Sequence, residues 1–361
     1  MNQTLTIPAT VKPATFSIAG ADLAEAVKIV ARVAKGTGAY QGIVALSFRD
    51  QRLTLSATDF ETSIQTRIPV EGKKATAVAV YAAKLKPFVD ALKAERVTLD
   101  ITADELKLVG GNLEFALPLV PDAPAIQLSV HENPIPIDSA EFGRAVRIAG
   151  AAAATDQARV IITGIMFENG IAVATDSYRL AVVHDTIDFG EPLLIPAGPA
   201  SIVADAFAGA DMQFENIAGR LQFSNAWTTM TIRRIDGSFP EWERLVPGKA
   251  DSSFTIDRKQ FAARLRNVAL AGGVAARMAV SGEALVVTMK EQDVASSKGG
   301  IPIDIDGVVP YVGLNPTMLR QLLTAVDSDK VTVEVIDHLK PFKITPTEGA
   351  GWTLIQMPVR L

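Results

Sequence analysis

The sequence predicts an α+β protein of three similar domains, each with two helices packed on antiparallel sheet. Three observations lead there. Hydrophobic residues make up 48% of the 361 and charged ones 21%, ample material for buried cores. Helix-patterned segments recur about every 60 residues, six in all, starting near Gly20, Ala82, Asp138, Gly198, Asp257 and Asn315. Between them lie short runs of alternating apolar residues separated by turn formers, the pattern of antiparallel strands. Two such units can bury their helical stripes against one sheet face, which makes a domain of about 120 residues. The domains expected are 1–126, 127–248 and 249–361, with joins in PDAPAIQLSVHENP (121–134) and VPGKADSS (246–253).

The helices have individual reasons. The first, from Gly20, carries Lys28, Arg32 and Lys35 on one stripe. The second carries Lys86 and Lys93, and its Pro87 must sit in the first turn or kink it. Asp138 and Asp257 can cap the third and fifth through their carboxylates. Gly198-Pro199 and Asn315-Pro316 each pair an acceptable cap with proline at the first helical position. Arg144 and Arg147 lie on the third helix, Arg258, Arg264 and Arg266 on the fifth and Arg320 on the sixth; the fourth, PASIVADAFAGA, has no basic residue. Strands are expected at RVTLDI, ELKLVG and LEFALPLV, then at KVTVEVI, FKITP and WTLIQMPV.

Catalytic and cofactor patterns are few. The chain has no cysteine, which excludes disulfides, thiolate zinc sites and a cysteine nucleophile. His131, His184 and His338 make no metal-binding spacing. GTGAYQG (36–42) places its third glycine one residue late for a dinucleotide fingerprint and follows a helix, so it reads as a helix exit and a loop. Gly248-Lys249 lacks the earlier glycine of a phosphate loop, and no GxSxG elbow occurs. No cofactor or metal is expected. No run is long enough to cross a membrane, the opening lacks the pattern of a secretory signal, and the expected compartment is the cytoplasm.

One triplet repeats. ATD occurs in LTLSATDFETSIQTRI (53–68) and in IAVATDSYRLAVVHDTI (171–187), each time between two strand-like runs. A turn aspartate suits such duplication, because its carboxylate accepts backbone N–H bonds and closes a hairpin. An enzyme would instead have to use Asp176 with Tyr178, with no partner base beside them. The net charge of −5 argues against gripping nucleic acid by charge unless basic residues gather on one face. Most of the helices carry them, so the strands and loops must hold the excess acid.

ATDSYRLAV, FPEWERLVP (239–247) and the terminal MPVRL (357–361) together resemble the bacterial DNA polymerase III β sliding clamp family, in order and in spacing. The resemblance implies a head-to-tail homodimeric ring of six similar domains around duplex DNA, with helices lining the hole and no catalytic site. It implies a pocket that takes short peptides of the replicative DNA polymerase, the clamp loader and other clamp-binding-motif proteins. Carried over residue by residue, the pocket comprises Ile162, Thr175, Ser177, Tyr178, Arg179, Leu180, Pro240, Arg244, Leu245, Met318, Leu339, Ile355, Met357, Pro358, Val359, Arg360 and Leu361. Arg179 and Arg244 are expected at its edge. The DNA-facing residues are Lys28, Arg32, Lys35, Lys86, Lys93, Arg144, Arg147, Arg264, Arg266 and Arg320. The dimer joint involves Phe115 and Leu117 on one side and Leu265, Val268 and Leu270 on the other. The family often has Gly-His where this chain has Ser177-Tyr178, and basic residues where its fourth helix has none. That bare helix keeps open an alternative, a clamp-fold adaptor that binds peptides without encircling DNA.

Overall fold

A computed structural model describes residues 3–5, 11–36, 41–123, 126–128, 132–291, 295–349 and 351–361; His131 and most of the GTGAYQG loop lie outside them. The first third contains β1 (Gln3–Leu5), β2 (Ala14–Ala19), α1 (Gly20–Val33), β3 (Ile43–Arg49), β4 (Arg52–Thr58), β5 (Thr62–Pro69) and β6 (Thr76–Tyr81). It continues with α2 (Ala82–Leu92), β7 (Arg96–Ile101), β8 (Glu105–Gly110), β9 (Leu113–Pro118) and β10 (Ile126–Leu128). The middle contains β11 (Ile135–Ile137), α3 (Ser139–Gly150), β12 (Gly164–Glu168), β13 (Ile171–Thr175), β14 (Arg179–Val183) and β15 (Leu193–Pro196). After these come α4 (Ala197–Ala206), β16 (Met212–Ile217), β17 (Arg220–Ser224) and β18 (Thr228–Arg233). The last third contains β19 (Ser253–Asp257), α5 (Arg258–Ala269), β20 (Ala276–Ser281), β21 (Ala284–Glu291), β22 (Ala295–Pro302) and β23 (Asp304–Asp306). It ends with β24 (Val312–Leu314), α6 (Pro316–Ala325), β25 (Lys330–Glu334), β26 (Phe342–Pro346) and β27 (Trp352–Gln356).

The caps act as the sequence predicts, with one exception. The Asp138 carboxylate accepts the Ala140 N–H at 2.8 Å, Asp257 accepts Gln260 at 2.8 Å, and Asn315 accepts Thr317 and Met318 at 3.0 Å each. Each supplies an acceptor to an amide that the helix itself leaves unpaired. The exception is α4, which begins at Ala197, so Gly198 is not its cap and Pro199 is its third residue. Pro tolerates that place because the amides of a first turn have no intrahelical partner to lose. Pro87 lies within α2, which runs on to Leu92.

By contact the chain forms two compact units, one of residues 1–140 and 202–234, the other of 141–201 and 235–361. The expected division at 126 and 248 follows the repeat, and this grouping follows contact; the two describe different things. In the first unit β2-β7-β8-β9 is a four-stranded sheet, and β11-β16-β17-β18-β5-β4-β3-β6 is an eight-stranded one. In the second, β15-β12-β13-β14-β27-β26-β25-β19-β23 and β22-β21-β20-β24 play the corresponding parts. All pairings are antiparallel. In the first unit α1 packs on α2 and over β4 and β5; in the second α5 packs on α6 and over β21 and β22. Leu23, Val30, Leu53, Leu55, Phe261, Leu265 and Leu319 are wholly enclosed, and each such side chain stabilises by about 1.5–3 kcal/mol relative to exposure. No helix among the described residues is long and apolar enough to cross a membrane.

The sheets repeat one rule. Each third of the chain supplies two runs of four strands: β2-β7-β8-β9 and β6-β3-β4-β5, then β11-β16-β17-β18 and β15-β12-β13-β14, then β19-β25-β26-β27 and β24-β20-β21-β22. The last strand of one kind of run pairs with the last of the other kind from a neighbouring third. That join occurs as β18 on β5 and again as β27 on β14. The remaining two ends, β9 and β22, each terminate their sheets.

Candidate peptide-binding site

The hairpin of β13 and β14 is closed by Thr175 and Asp176. The Thr175 hydroxyl donates to the Arg179 carbonyl at 2.7 Å and accepts the Ser177 N–H at 3.1 Å. Asp176 Oδ1 accepts the N–H groups of Tyr178 and Arg179 at 2.9 and 3.0 Å. Its Oδ2 takes the Arg179 guanidinium at 2.9 Å, with both side chains about 10% exposed. This carboxylate is fully engaged by donors, so the arrangement closes a turn and leaves no general base. Ser177 has φ +79°, the left-handed region in which glycine is at ease.

Arg179, expected at the rim, is enclosed instead. Beyond Asp176 it donates to the Met318 carbonyl at 3.0 Å and to the Gln321 side chain at 2.7 Å, which fastens the hairpin to α6. Arg159, which sequence reasoning did not single out, reaches the Ser177 hydroxyl at 3.3 Å. The residue after β27 closes the other side: the Met357 N–H donates to the Tyr178 carbonyl at 2.8 Å. The tail continues until the Val359 N–H meets the Gly313 carbonyl at 2.8 Å.

Under this frame lies an apolar floor of Val173, Leu180, Val182 and Ile355, against which Phe239, Trp242 and Val246 pack. In the stretch FPEWERLVP the expected pocket residues Pro240, Arg244 and Leu245 are all exposed. The inward set is 239, 242 and 246, whose spacing of three and four was the available signal. Ile162 and Thr175 are buried, and Met318, Pro358 and Val359 are half-buried. Tyr178 (58% exposed), Leu339 (68%), Met357 and Leu361 leave apolar surface open above them, and Arg360 is exposed as well. Arg244 stands at the surface, paired with Glu241 at 2.8 Å.

The basic helix residues differ in freedom. Lys28, Lys35, Lys93 and Arg266 are exposed, and Arg320 is half-buried. Arg32 is paired with Asp205, Lys86 with Asp90 at 2.5 Å, and Arg144 with Asp327 at 2.8 Å. Arg147 shares Asp327 and donates to the Ala325 carbonyl. Burial raises the Asp327 carboxyl, but the hydrogen bond and charge of Arg144, its own backbone amide and the charge of Arg147 hold it below its ordinary value. Arg264 turns inward to the Val287 carbonyl at 2.8 Å, and burial lowers its guanidinium from the usual value. Of the expected joint residues, Leu117, Leu265 and Val268 are buried within their own units; Leu270 is 80% exposed, and Phe115 stacks on Phe88 at 4.5 Å.

Residues 14–126 match the family model of the DNA polymerase III beta subunit N-terminal domain, and 243–360 match that of its C-terminal domain. The beta sliding clamp of Synechococcus elongatus is 24% identical over 340 residues, 88% of this chain and 91% of that one. That of Caulobacter vibrioides is 25% identical over 347 residues, with the same coverage. The crystal structure of the DNA polymerase III beta subunit from Thermotoga maritima superposes with a TM-score of 0.83 at 18% identity, covering 96% of this chain and all of that one. A Pseudomonas aeruginosa sliding clamp bound to griselimycin gives 0.82 at 20% identity, covering 97% of this chain and all of that one. Matched at both ends and related along its length, the chain belongs to the DNA polymerase III beta subunit family, the beta sliding clamps.

Proposed function

We propose that the protein works as a sliding clamp, a non-catalytic processivity factor. Two copies close head to tail around duplex DNA and tether the replicative polymerase, the clamp loader and other peptide-bearing partners, in the cytoplasm and on the nucleoid. Three clamp domains, 1–126, 127–248 and 249–361, make half of the ring. The observation that carries this reading is the pair of open sheet ends. β9 and β22 are the two runs' equivalents of the strands that join as β18–β5 and β27–β14. An unpaired edge of six or eight residues exposes backbone donors and acceptors that another chain can satisfy. Pairing β9 of one copy with β22 of the next repeats the join already made twice and closes the assembly with two-fold symmetry. Leu270 and Val274, 80% and 76% exposed, leave apolar area open after α5, the helix that packs over β21 and β22, while Leu265 and Val268 hold α5 on the sheet from within.

DNA held by topology needs no tight phosphate contacts, and each additional contact would steepen the salt dependence. Acid partners already hold Arg32, Arg144 and Arg147, which moderates the positive charge that Lys28, Lys35, Lys93, Arg266 and Arg320 supply. The test is retention. Protein loaded on circular duplex DNA should stay, and it should leave when the circle is cut. Equal retention on linear and circular DNA, or a monomer by light scattering at micromolar concentration, would overturn the reading.

The peptide pocket is the open apolar surface over Leu180 and Ile355. A peptide with a glutamine and a leucine-phenylalanine-type pair should bury its apolar side chains there, for roughly 1.5–3 kcal/mol each before ordering costs. Deleting residues 357–361 should remove most of that affinity and leave the dimer intact, measured by fluorescence anisotropy and light scattering.

A further inference from the structure

One part of the first compact unit gathers cations around an exposed ring, on the sheet face away from the helices. Leu53 and Leu55 of β4 are wholly enclosed, on the side over which α1 packs, so Arg52 and Thr54 point the other way. Directly opposed residues share a sheet face. Arg49 in β3 stands opposite Arg52, and Arg67 in β5 stands opposite Thr54, which puts all three arginines on that outer face. The Arg67 N–H donates to the Trp227 carbonyl at 2.9 Å. The Arg52 guanidinium carbon lies 5.6 Å from the centre of the Trp227 ring, and this tryptophan remains 48% exposed.

Arg49 also lines a cavity of about 330 Å³ between the β3–β4 turn and the β5–β6 connection, together with Gln51, Gly72, Lys73 and Lys74. A Cβ on Gly72 would come within 2.2 Å of the Phe16 ring, so glycine lets the connection lie flat on that ring. Lys73 and Lys74 follow it and stay exposed. The charge here is one-sided. Asp50, in the same cavity, is paired with Arg49 at 3.5 Å, and Glu71 is held by Arg96 at 2.8 Å. Among the described residues neither Arg52 nor Lys73 has a carboxylate partner. Burial, and then the charge of Arg52, lowers the Arg67 guanidinium from its ordinary value. An anion placed between the two would relieve that repulsion.

We propose that this surface holds a single strand of DNA, with an unpaired base stacked on Trp227 and successive phosphates on Arg52, Arg67 and the cations of the cavity. A base needs only an open ring face, and its stacking on an aromatic side chain is indifferent to sequence. A guanidinium resting on the ring keeps its planar fork free for a phosphate. Thr54, Gln65 and Thr229 share the same sheet face, and these polar neighbours give an apolar peptide little to bury against. Duplex DNA, its bases stacked on one another, would meet the cations and not the ring. Every residue involved belongs to one compact unit, so the site is independent of whether two copies close a ring. It gives a chain of net charge −5 a contact for unpaired strands, separate from the basic helices.

The test titrates the full chain into labelled strands of about ten nucleotides, within the span that one such site covers, read by fluorescence anisotropy. The strands are oligothymidylate, the same backbone without bases, and a blunt duplex. At low salt oligothymidylate should bind about tenfold tighter than the abasic strand, the size of one stacked base. It should also quench tryptophan fluorescence. Trp227→Ala should bring oligothymidylate down to the affinity of the abasic strand and remove the quenching, since Trp242 is half-buried and Trp352 buried. Trp227→Phe should keep most of the preference. Arg52→Gln and Lys73→Gln should each flatten the slope of log affinity against log salt by about 0.7. Equal binding of the thymidylate and abasic strands, a preference that survives Trp227→Ala, or equal quenching by the duplex overturns the proposal. So does an aspartate-rich peptide that binds tighter than the strand, which would make this a docking surface for an acidic protein.

Discussion

The seam between β5 and β18 and the seam between β14 and β27 have the same backbone and different chemistry. At the first, the Thr58 hydroxyl accepts the Phe60 N–H and donates to the Thr62 carbonyl, both at 3.0 Å; Asp59 accepts the N–H groups of Glu61 and Thr62 at 3.1 and 2.7 Å. At the second, Thr175 and Asp176 make the same bonds one repeat later. Even the return is duplicated, since the Arg233 N–H donates to the Glu61 carbonyl as the Met357 N–H does to Tyr178. Across the first seam, however, Gln65 faces Thr229, Ser63 faces Thr231, and the hydroxyls of Thr66 and Thr228 meet at 2.9 Å. Across the second, the equivalent pairs are Val182 with Thr353, Leu180 with Ile355, and Val183 with Trp352, while the Ile64–Met230 and Ala181–Leu354 pairs are apolar at both seams. The rim changes likewise, from Glu61 paired with Arg233 at 3.5 Å to Tyr178 beside Met357. A repeated turn fixes where a groove can form, and the facing side chains decide whether its floor is apolar.

The largest expected effect separates the two seams by their arginines. Arg179→Ala leaves the Asp176 carboxylate enclosed without its cation and frees α6 from the hairpin. Breaking such a buried pair should cost about 3 kcal/mol. Arg233→Ala removes a pair whose side chains are 60% and 64% exposed, so solvent screening should hold the loss under about 1 kcal/mol. Urea unfolding of both variants checks this. Equal losses would break the claim that only the second seam is locked from within.

A smaller effect tests the rim. Tyr178→Glu with Met357→Arg copies the first seam's polar rim onto the second and should lower peptide affinity at least tenfold, on the order of 1.4 kcal/mol. The reciprocal change, Glu61→Tyr with Arg233→Met, should create no new site, because the floor beneath it remains threonine, serine and glutamine. Calorimetry reads the outcome as stoichiometry. Two peptides per chain would mean that the rim, and not the floor, makes the pocket.

Much of this was legible in the residues. Local signals placed the caps at Asp138, Asp257 and Asn315, and the strands RVTLDI, ELKLVG and FKITP coincide with β7, β8 and β26. The duplicated ATD was readable as a turn because Asx bonding is local. What the sequence hid is long-range. Nothing near Arg179 in the chain announces Met318 and Gln321, more than a hundred residues away, so its move from rim to brace needed the fold. The same holds for Asp327 on Arg144, and for the strand pairing that brings Trp227 to Arg52. Helix start signals also mislead where proline is permitted at several first-turn positions, as at Pro199.

The smallest effect concerns strain in the turn itself. Ser177 and Phe60 occupy the same place in the two copies, with φ +79° and +75°. A side chain in this left-handed region costs about 1–2 kcal/mol relative to glycine, offset in part by the wider freedom that glycine gains when unfolded. Ser177→Gly and Phe60→Gly should each stabilise by about 0.5–1 kcal/mol in urea unfolding. Phe60 is 53% exposed, so its ring gives up little burial, and Ser177 gives up one long bond from Arg159. Because only the second turn borders the proposed pocket, Ser177→Gly is also the variant in which peptide binding is informative. Its affinity should stay within about twofold, since the serine hydroxyl lies outside the apolar floor. Should Phe60→Gly stabilise while Ser177→Gly destabilises, the Arg159 contact outweighs the backbone strain. The second turn would then be held by its side chains in a way the first is not, and the two seams would differ in their frame as well as in what they present.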